Sequence, residues 1–382
     1  MIFDALFGDP AVDALLSDSS LVSAMLRVEV VLARAEAAIG IIPARAVDAI
    51  EQSANAMDYD LAALATEAGS AGNLAIPLVR HLTGRVARID ADSARYVHWG
   101  ATSQDIVDTA MVLRLCDATA VVLASLDRAS DAAAELAQRY ATTVMAGRTW
   151  LQQATPITFG LKAAGWMSAL DRASARVREA LERARVLQLG GASGTLAALG
   201  DRGGEVAHAM ATELELAVPE LPWHTSRDRF ATLACALGVA TGVMGKIARD
   251  ISLLAQTEVA EAFEPAGDGR GNSSTMPQKR NPVSSSVVLA ASVRVPALVA
   301  TVLAAMPQEH ERALGGWQAE WETIPSLVKL TAGAARHTAA MLGGLEIDVA
   351  RMRTNADITR GLSLAESVSM ALAGHIGKFD AH

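Results

Sequence analysis

The residues with the clearest chemical potential lie in one segment, 267–282, which reads GDGRGNSSTMPQKRNP. It combines paired hydroxyls at Ser273 and Ser274 with the cation of Lys279, and it lies between two long apolar stretches. Three glycines at its start allow backbone conformations that other residues avoid, so we predict a loop. Asn281 and the proline after it are typical of a helix N-terminus, whose partial positive charge attracts anions. The segment therefore predicts an anion-binding loop.

The two serines also suggest proton transfer. A serine hydroxyl is a weak base until nearby donors and positive charge stabilise its alkoxide, and closure of such a loop over a carboxylate substrate would supply both. The same composition is found in Ser-rich surface loops that precede a capped helix. The residues of this segment alone leave both interpretations open.

The string SSTMPQKRNP resembles the signature loop GSSxMPxKxN of the fumarase/aspartase superfamily. The resemblance implies that Ser273 is the catalytic base and that Lys279, also assigned as catalytic, helps to bind substrate. Ser274 and Asn281 would bind substrate beside them. Asn272 stands where the superfamily pattern has glycine, although asparagine tolerates left-handed backbone better than most residues.

A second string, YVHWGATSQDIVDT at residues 96–109, resembles the HxGxTSxDxxDT motif of the same superfamily. Thr102 followed by Asp105 also has the spacing of a helix capping box. Both interpretations are compatible, because a helix N-terminus with spare hydroxyls binds carboxylates. The resemblance implies that four residues of this string line the site: His98, Thr102, Ser103 and Gln104.

Three shorter strings offer further candidates. Asn73 in AGNLAIP is either the cap of the next helix or, by resemblance, a substrate contact. Arg312 lies in HER, a string that resembles one whose arginine meets a substrate carboxylate. Arg227 and Arg229 in PWHTSRDRF are either clamps for an anion or solvated surface charges.

Residues 147–160, GRTWLQQATPITFG, resemble the superfamily pattern GRTHxQxAxPxTxG and place Trp150 where the acid/base histidine stands. The resemblance adds Arg148, Trp150 and Gln152 to the site. A lyase that expels an amine or hydroxide must protonate its leaving group, and an indole N–H does not titrate near neutral pH. A carboxylate leaving group, whose acid has a pKa of roughly 4, needs no such help. Trp150 therefore favours making or breaking a carbon–oxygen bond to a carboxylate.

Together these strings resemble the branch of lactonising enzymes that act on 3-carboxy-cis,cis-muconate. The resemblance implies an all-α fold, a bundle of twenty helices from four subunits, active sites assembled from three subunits, and neither metal nor organic cofactor. Activity on a related diacid such as 3-sulfomuconate, and a lyase for an adenylosuccinate- or argininosuccinate-type substrate, remain alternatives. A helical oligomer without catalytic activity is a third.

The elements that position these strings are predicted to be long helices. After shorter helices at 20–39 and through residue 50, helical patterns run over 103–140, 156–187, 228–261, 282–306 and 320–342. Each is apolar over much of its circumference, which in a soluble protein indicates self-association. Residues 287–306 match a membrane span in hydropathy, but Arg294 and Pro296 within them favour a buried bundle helix.

Composition narrows the class of protein. The net charge is −9 and no Lys/Arg cluster stands out, which argues against a nucleic-acid surface. Two cysteines, Cys116 and Cys235, without metal-ligand spacing to histidine, fit a reducing cytoplasm. No basic region precedes a long apolar run at the N-terminus, so we expect no signal peptide.

We expect three domains: an N-terminal helical domain at 1–100, a central long-helix bundle at 101–345, and a remnant of a C-terminal domain at 346–382. The string TRGLSLAESV at 359–368 resembles the start of the C-terminal domain of the superfamily, and the sequence ends 14 residues later. Most of that domain is therefore expected to be missing.

Overall fold

The computed structural model describes residues 3–267, 271, 276 and 279–381. The prediction of an all-α fold is confirmed. The α-helices in the described part of the chain are α1 Asp4–Phe7, α2 Pro10–Leu15, α3 Asp18–Ile39, α4 Ala44–Ser53, α5 Leu61–Ala71, α6 Ala75–Ile89, α7 Ser103–Arg139, α8 Phe159–Ala184, α9 Gly203–Leu214, α10 Asp228–Leu254, α11 Val283–Ala304, α12 Gly316–Gly343, α13 Val349–Ala356, α14 Ala365–Ile376 and α15 Lys378–Ala381.

The five long helices predicted for a central bundle are present as α7, α8, α10, α11 and α12, and they contain 22 to 37 residues each. The expected start of α8 at Pro156 was wrong. That residue belongs to a hairpin of two antiparallel strands, β1 Val144–Thr149 and β2 Gln152–Thr158, in which Ala146 pairs with Pro156. A second antiparallel pair joins β3 Ala262–Phe263 to β4 Glu346–Ile347. Neither pair was predicted.

Contacts divide the chain into two compact units, each formed by three stretches of sequence. Unit 1 comprises Met1–Val121, Val177–Leu237 and Pro296–Ala332. Unit 2 comprises Val122–Arg176, Gly238–Val295 and Gly333–His382. The three consecutive domains predicted from sequence stay a prediction.

Helix α3 organises the first part of unit 1, and its ends follow from local sequence. The Ser17 hydroxyl accepts the backbone N–H of Ser20 and caps the start. Gly40, at φ +83°, ends the helix in the left-handed conformation that glycine adopts without strain. Between these ends Met25, Leu26 and other apolar residues are buried where α3 packs on α4 and α9. The predicted helix 20–39 is therefore confirmed.

Aromatic packing organises part of unit 2. The ring of Phe159 meets Tyr140 and Trp166 edge to face, at centroid distances of 5.6 and 5.7 Å. The indole N–H of Trp166 donates to Asp250 at 2.8 Å, so this buried donor has a hydrogen-bond partner. These contacts fix the start of α8 immediately after the β1–β2 hairpin.

In the part of the chain that the structure describes, two helices, α10 and α11, are long and apolar enough by length and composition to cross a membrane. The most apolar window of α10 is 61% buried, but that of α11 is only 28% buried. Val293 on α11 is 76% exposed. In the single chain much of the apolar surface of α11 faces outward, and the expected burial of residues 287–306 in a bundle stays a prediction.

Candidate active site

Asp105 anchors the start of α7 in unit 1. Its carboxylate accepts the backbone N–H of Thr102 at 3.0 Å, as the capping box predicts, and the N–H groups of Gly190 and Gly191, both at 2.9 Å. The fourth partner is Nε2 of His224, 2.7 Å away. Because Asp105 is 1% exposed and fully engaged, it holds the helix N-terminus and the 190–191 turn in one arrangement rather than contacting a ligand.

Two hydroxyls at this helix N-terminus are open to a ligand. The side chains of Thr102 and Ser103 are partly exposed, and neither has a hydrogen-bond partner among the residues that the structure describes. They lie at the positive end of a 37-residue helix. The arrangement is suited to an anionic group such as a carboxylate.

Arg312 lies beside this helix start. Its guanidinium donates to the carbonyl oxygens of Ala192 at 2.8 Å and Gly191 at 3.4 Å, and to Oε1 of Gln104 at 3.4 Å. No carboxylate neutralises it among the described side chains, so its positive charge remains available to an anion.

Gln104 does not have the exposure that a substrate contact requires. It is 0% exposed, and its amide donates to Asp108 at 3.1 Å and to the carbonyl of His224 at 2.8 Å. In the single chain the side chain ties α7 to neighbouring backbone and accepts from Arg312, and its predicted substrate contact stays a prediction.

His98 is held by a carboxylate. Its Nδ1 lies 2.7 Å from Oε1 of Glu29, a 2% exposed residue of α3. Burial alone would lower the pKa of His98, but the Glu29 carboxylate, with a smaller contribution from Asp105, raises it above the ordinary value. The backbone of His98 is left-handed at φ +59°, which is uncommon for a residue with a side chain.

Asn73 behaves as a cap. Its Oδ1 accepts the backbone N–H of Ile76 at 3.1 Å, in the first turn of α6. This supports the capping interpretation of its local sequence. Its predicted substrate contact stays a prediction.

Arg227 is neither a solvated charge nor a free anion clamp. The guanidinium is 2% exposed and donates to both Asp108, at 2.7 and 3.1 Å, and Glu320. The indole of Trp317 donates to Asp108 at 3.0 Å and completes this buried network. Both predicted roles for Arg227 were therefore wrong, because its partners lie 119 and 93 residues away and form an internal ion cluster.

Trp150 and Leu151 form the two-residue turn of the β1–β2 hairpin in unit 2. Their φ angles are +54° and +64°, the sign that a type I′ turn requires at both central positions. Asparagine and glycine usually occupy such positions, so this turn is strained. The side chains are 95% and 79% exposed. In the single chain, Trp150 therefore projects from the hairpin tip toward solvent.

Arg148, on the same hairpin, has a carboxylate partner within the protein. Its two terminal nitrogens donate to Glu261 at 2.6 and 2.9 Å, and Glu261 is fully buried. This bidentate pair fixes the guanidinium within unit 2, and the predicted substrate contact of Arg148 stays a prediction. Gln152 is exposed beside the turn, whereas Gln153 donates to the carbonyl of Asn355 at 2.8 Å.

The signature loop is described only in part. Ser273 and Ser274 lie outside the described residues, as does Asn272. Lys279 is exposed, and the backbone N–H of Asn281 donates to the carbonyl of Gly271 at 2.9 Å.

The glycine at position 271 is required by its surroundings. Its φ is +69°, and an added Cβ would lie 2.6 Å from the carbonyl oxygen of Asn281. A cavity of about 140 Å³ borders both residues, with Phe263, Glu264 and Arg280 in its wall.

Glu264 caps the helix that follows the loop. Its carboxylate accepts the backbone N–H groups of Ser284 at 2.9 Å and Ser285 at 2.7 Å. The predicted capping by Asn281 and helix start at Pro282 were wrong: α11 begins at Val283, and the carboxylate comes from the end of β3. The first-turn N–H groups that would attract an anion are therefore already occupied by a protein carboxylate.

The predicted residues thus form two groups. Unit 1 contains Asn73, His98, Thr102, Ser103, Gln104 and Arg312, whereas unit 2 contains Arg148, Trp150, Gln152, Lys279 and Asn281. Sequence reasoning missed Glu29, Glu261 and Glu264, because a single carboxylate in a helix or strand end carries no local signal for a distant partner. Within the described ranges, no three His, Cys, Asp or Glu side chains are placed to hold a metal ion.

Residues 9–297 match the family described as lyase. The chain is 55% identical over 381 residues to the 3-carboxy-cis,cis-muconate cycloisomerase of Pseudomonas aeruginosa, and the alignment covers 100% of this chain and 83% of that protein. The 3-carboxy-cis,cis-muconate lactonizing enzyme of Pseudomonas putida superposes with a TM-score of 0.95 at 50% identity, covering 100% and 85%. The beta-carboxy-cis,cis-muconate cycloisomerase of Acinetobacter calcoaceticus gives 0.94 at 47% identity, covering 100% and 86%. The chain therefore belongs to the lyase family, within the fumarase/aspartase superfamily.

Proposed function

We propose that this chain is a cycloisomerase that converts 3-carboxy-cis,cis-muconate into carboxymuconolactone. The observation that carries the proposal is the 55% identity, over 381 residues, to a protein named for that reaction. One substrate carboxylate adds to the conjugated double bond and forms the carbon–oxygen bond of the ring. The electron pair moves into a neighbouring carboxylate, and the resulting enolate-like carbon takes up a proton.

Trp150 supports this chemistry over amine or hydroxide elimination. The indole N–H can donate a hydrogen bond but does not release its proton near neutral pH. In the reverse direction the departing group is a carboxylate, which is stable as an anion without protonation. With tryptophan in the position of the acid/base histidine, the site lacks the acid that elimination of an amine or hydroxide requires. Lactonisation does not require this acid and remains possible.

We assign binding of the substrate carboxylates to residues at the N-terminus of α7. The open hydroxyls of Thr102 and Ser103, the cation of Arg312 and the imidazole of His98 would bind substrate oxygens and orient the attacking carboxylate. Holding donors at fixed positions also stabilises the charge that develops as the ring closes. Neutral buried partners such as Gln104 keep these donors in place.

Ser273 is proposed to carry the proton to carbon, with Lys279 and Asn281 binding the carboxylate that receives the electrons. We expect Ser273→Ala to lower kcat by roughly 10²–10⁴-fold, the usual contribution of a positioned acid or base. Ser286→Ala is the matched control, because Ser286 is an exposed serine of α11 that donates to the carbonyl of Val283. Near-normal turnover by Ser273→Ala would remove this assignment.

We further propose a homotetramer with shared active sites. The 28% burial of the α11 window and the exposed tip residues Trp150 and Leu151 leave apolar surface that association would cover. We propose that the protein is located in the cytoplasm, because Cys116 and Cys235 are free thiols, as is usual in a reducing compartment. Light scattering after size exclusion tests the assembly: a mass of four chains supports it, and a fully active monomer contradicts it.

The reaction itself is tested with purified protein and 3-carboxy-cis,cis-muconate, by following the loss of the conjugated diene absorbance and identifying the lactone by NMR. 3-Sulfomuconate and adenylosuccinate are run in parallel as the competing substrates. Lactone formation supports the proposal. Fumarate release from adenylosuccinate, or no reaction of 3-carboxy-cis,cis-muconate with a tetrameric protein, contradicts it.

A further inference from the structure

The pair of Glu29 and His98 joins helix α3 to the loop before α7. Nδ1 of the imidazole lies 2.7 Å from Oε1 of Glu29, while the imidazole is 18% exposed and the Glu29 side chain 1% exposed. Nε2 of His98 has no partner among the residues described. One ring nitrogen is therefore fixed by a buried carboxylate, and the other is free to meet a ligand.

A second carboxyl lies on the same helix. Glu36, seven residues along α3, is 0% exposed, and neither its oxygens nor Oε2 of Glu29 have a hydrogen-bond partner in the described part of the chain. Burial, with a smaller contribution from the charge of Glu29, raises the pKa of Glu36 to about 9. Glu36 is thus neutral at physiological pH, and Glu29 is the carboxylate that contacts His98.

The charges that act on His98 favour its protonated form. These charges belong to Glu29 on α3 and Asp105 on α7, and burial of the imidazole opposes their effect on its pKa. Asp105 already contacts His224 and three backbone N–H groups, so Glu29 is the carboxylate in direct contact with the imidazole. The left-handed backbone of His98 places a strained residue at this contact, a feature that clusters at functional sites.

We propose that Glu29 is a positioning residue that keeps His98 as an imidazolium, so that its Nε2–H binds one carboxylate of the substrate with the help of the α7 N-terminus. This inference rests on the proposed function for the identity of the substrate. It predicts that substrate binding, rather than the chemical step, weakens as His98 loses its proton at alkaline pH. A merely structural link between α3 and the loop would give no such pH dependence.

The test is the pH dependence of KM and kcat from about pH 5 to about pH 9, which includes the range of about pH 5 to 8 in which histidine titrates and extends upward because the pKa of His98 is raised. In Glu29→Gln the negative charge no longer offsets the effect of burial, so the pKa of His98 falls and the rise in KM shifts to lower pH. Near neutral pH we expect KM to increase about tenfold, the usual effect of losing one charge-assisted hydrogen bond, with kcat close to wild type. Glu29→Asp, which retains the charge, should restore part of the wild-type profile.

Glu36→Gln is the matched control, since it replaces a neutral buried carboxyl on the same helix and should leave the KM profile unchanged. His98→Asn is a second route if Glu29→Gln does not fold, because asparagine tolerates the left-handed backbone. Its KM should be high and independent of pH. A wild-type KM profile in Glu29→Gln, or a remaining alkaline rise in His98→Asn, would overturn the inference.

Binding of propane-1,2,3-tricarboxylate, measured by calorimetry, separates this inference from the proposed function. Affinity that weakens at alkaline pH in the wild type, and already at neutral pH in Glu29→Gln, supports the role of Glu29 even if 3-carboxy-cis,cis-muconate is not converted. Equal affinities of the two proteins at every pH would overturn the role of Glu29 even if conversion is observed.

Discussion

A single carboxylate oxygen of Glu264 accepts both the backbone N–H and the hydroxyl of Ser285, each at 2.7 Å. The other oxygen accepts the backbone N–H of Ser284. One buried side chain thus satisfies three donors at the start of α11 and neutralises the positive end of that helix. The signature loop, which lies between Glu264 and α11 in sequence, is therefore anchored at both ends by this residue.

The first prediction concerns this cap. Glu264→Ala leaves the first-turn N–H groups of α11 without partners, so it should lower the free energy of unfolding by about 1–2 kcal/mol. It should also raise KM, because the loop ends lose their common anchor. Urea unfolding and steady-state kinetics measure the two effects. Glu346→Ala, which removes the exposed bridge to Arg280 and the hydrogen bond from the backbone N–H of Ala266, is the control and should cost less than about 1 kcal/mol. Equal losses in both variants would contradict the role of Glu264.

The second prediction concerns the dependence of stability on pH at Glu36. Its pKa in the folded state, about 9, lies above that of an unfolded glutamate, so the folded chain binds more protons between these values. Its contribution to stability is complete at low pH and is lost as pH rises toward 9, by up to about 1.4 kcal/mol per pH unit. Glu36→Gln should therefore unfold at a higher temperature than wild type at about pH 8, with the difference shrinking near pH 5. A constant difference across this range would contradict the raised pKa.

The third prediction concerns the buried ion cluster of Asp108, Arg227 and Glu320. Burial raises the pKa of Glu320 even though Arg227 opposes that shift, so the two carboxylates depend on one guanidinium. Arg227→Ala leaves both without their cation and should cost about 3–5 kcal/mol. Arg229→Ala, two positions away and partly exposed, should cost less than about 1 kcal/mol in the same urea titration. A small loss for Arg227→Ala would mean that these carboxylates are protonated or hydrated in the folded chain.

The fourth prediction separates the indole of Trp150 from the turn that carries it. Trp150→Gly and Leu151→Gly each place glycine in left-handed backbone, a conformation that glycine adopts without strain. Neither substitution should change the free energy of unfolding of the chain by more than about 1 kcal/mol. Only Trp150→Gly removes the group proposed to line the site. Its turnover of 3-carboxy-cis,cis-muconate should fall well below that of Leu151→Gly, measured at equal tetramer concentration. Equal activities would assign the indole to packing alone.

The long helices were predictable because their signals are local. Helix α7 follows from an uninterrupted helical pattern after Thr102, and α3 ends at Gly40 as its sequence indicates. The hairpin was not predictable in the same way. Its turn is Trp-Leu rather than Asn-Gly, and Pro156, which suggested a helix start, lies within β2.

The site was predictable only as strings of residues. Their resemblance to superfamily motifs gathered His98, Thr102, Ser103 and Arg312, and all four belong to unit 1, where Thr102 donates to Asp105 and Arg312 donates to Gln104. The resemblance did not indicate which of these side chains already have hydrogen-bond or ion-pair partners within the protein. Arg148 is bound by Glu261, 113 residues away, and such long-range pairing leaves no pattern in a local window.

The conformation of Gly271 matters for anyone who reshapes the substrate range of this protein. A library that randomises residues 267–282 will sample every position, yet at 271 any side chain meets the carbonyl of Asn281 at 2.6 Å and a backbone that disfavours it. Most members that vary there should be lost before selection begins. A library that keeps glycine at position 271 and randomises only the neighbouring positions would contain a larger share of variants that fold.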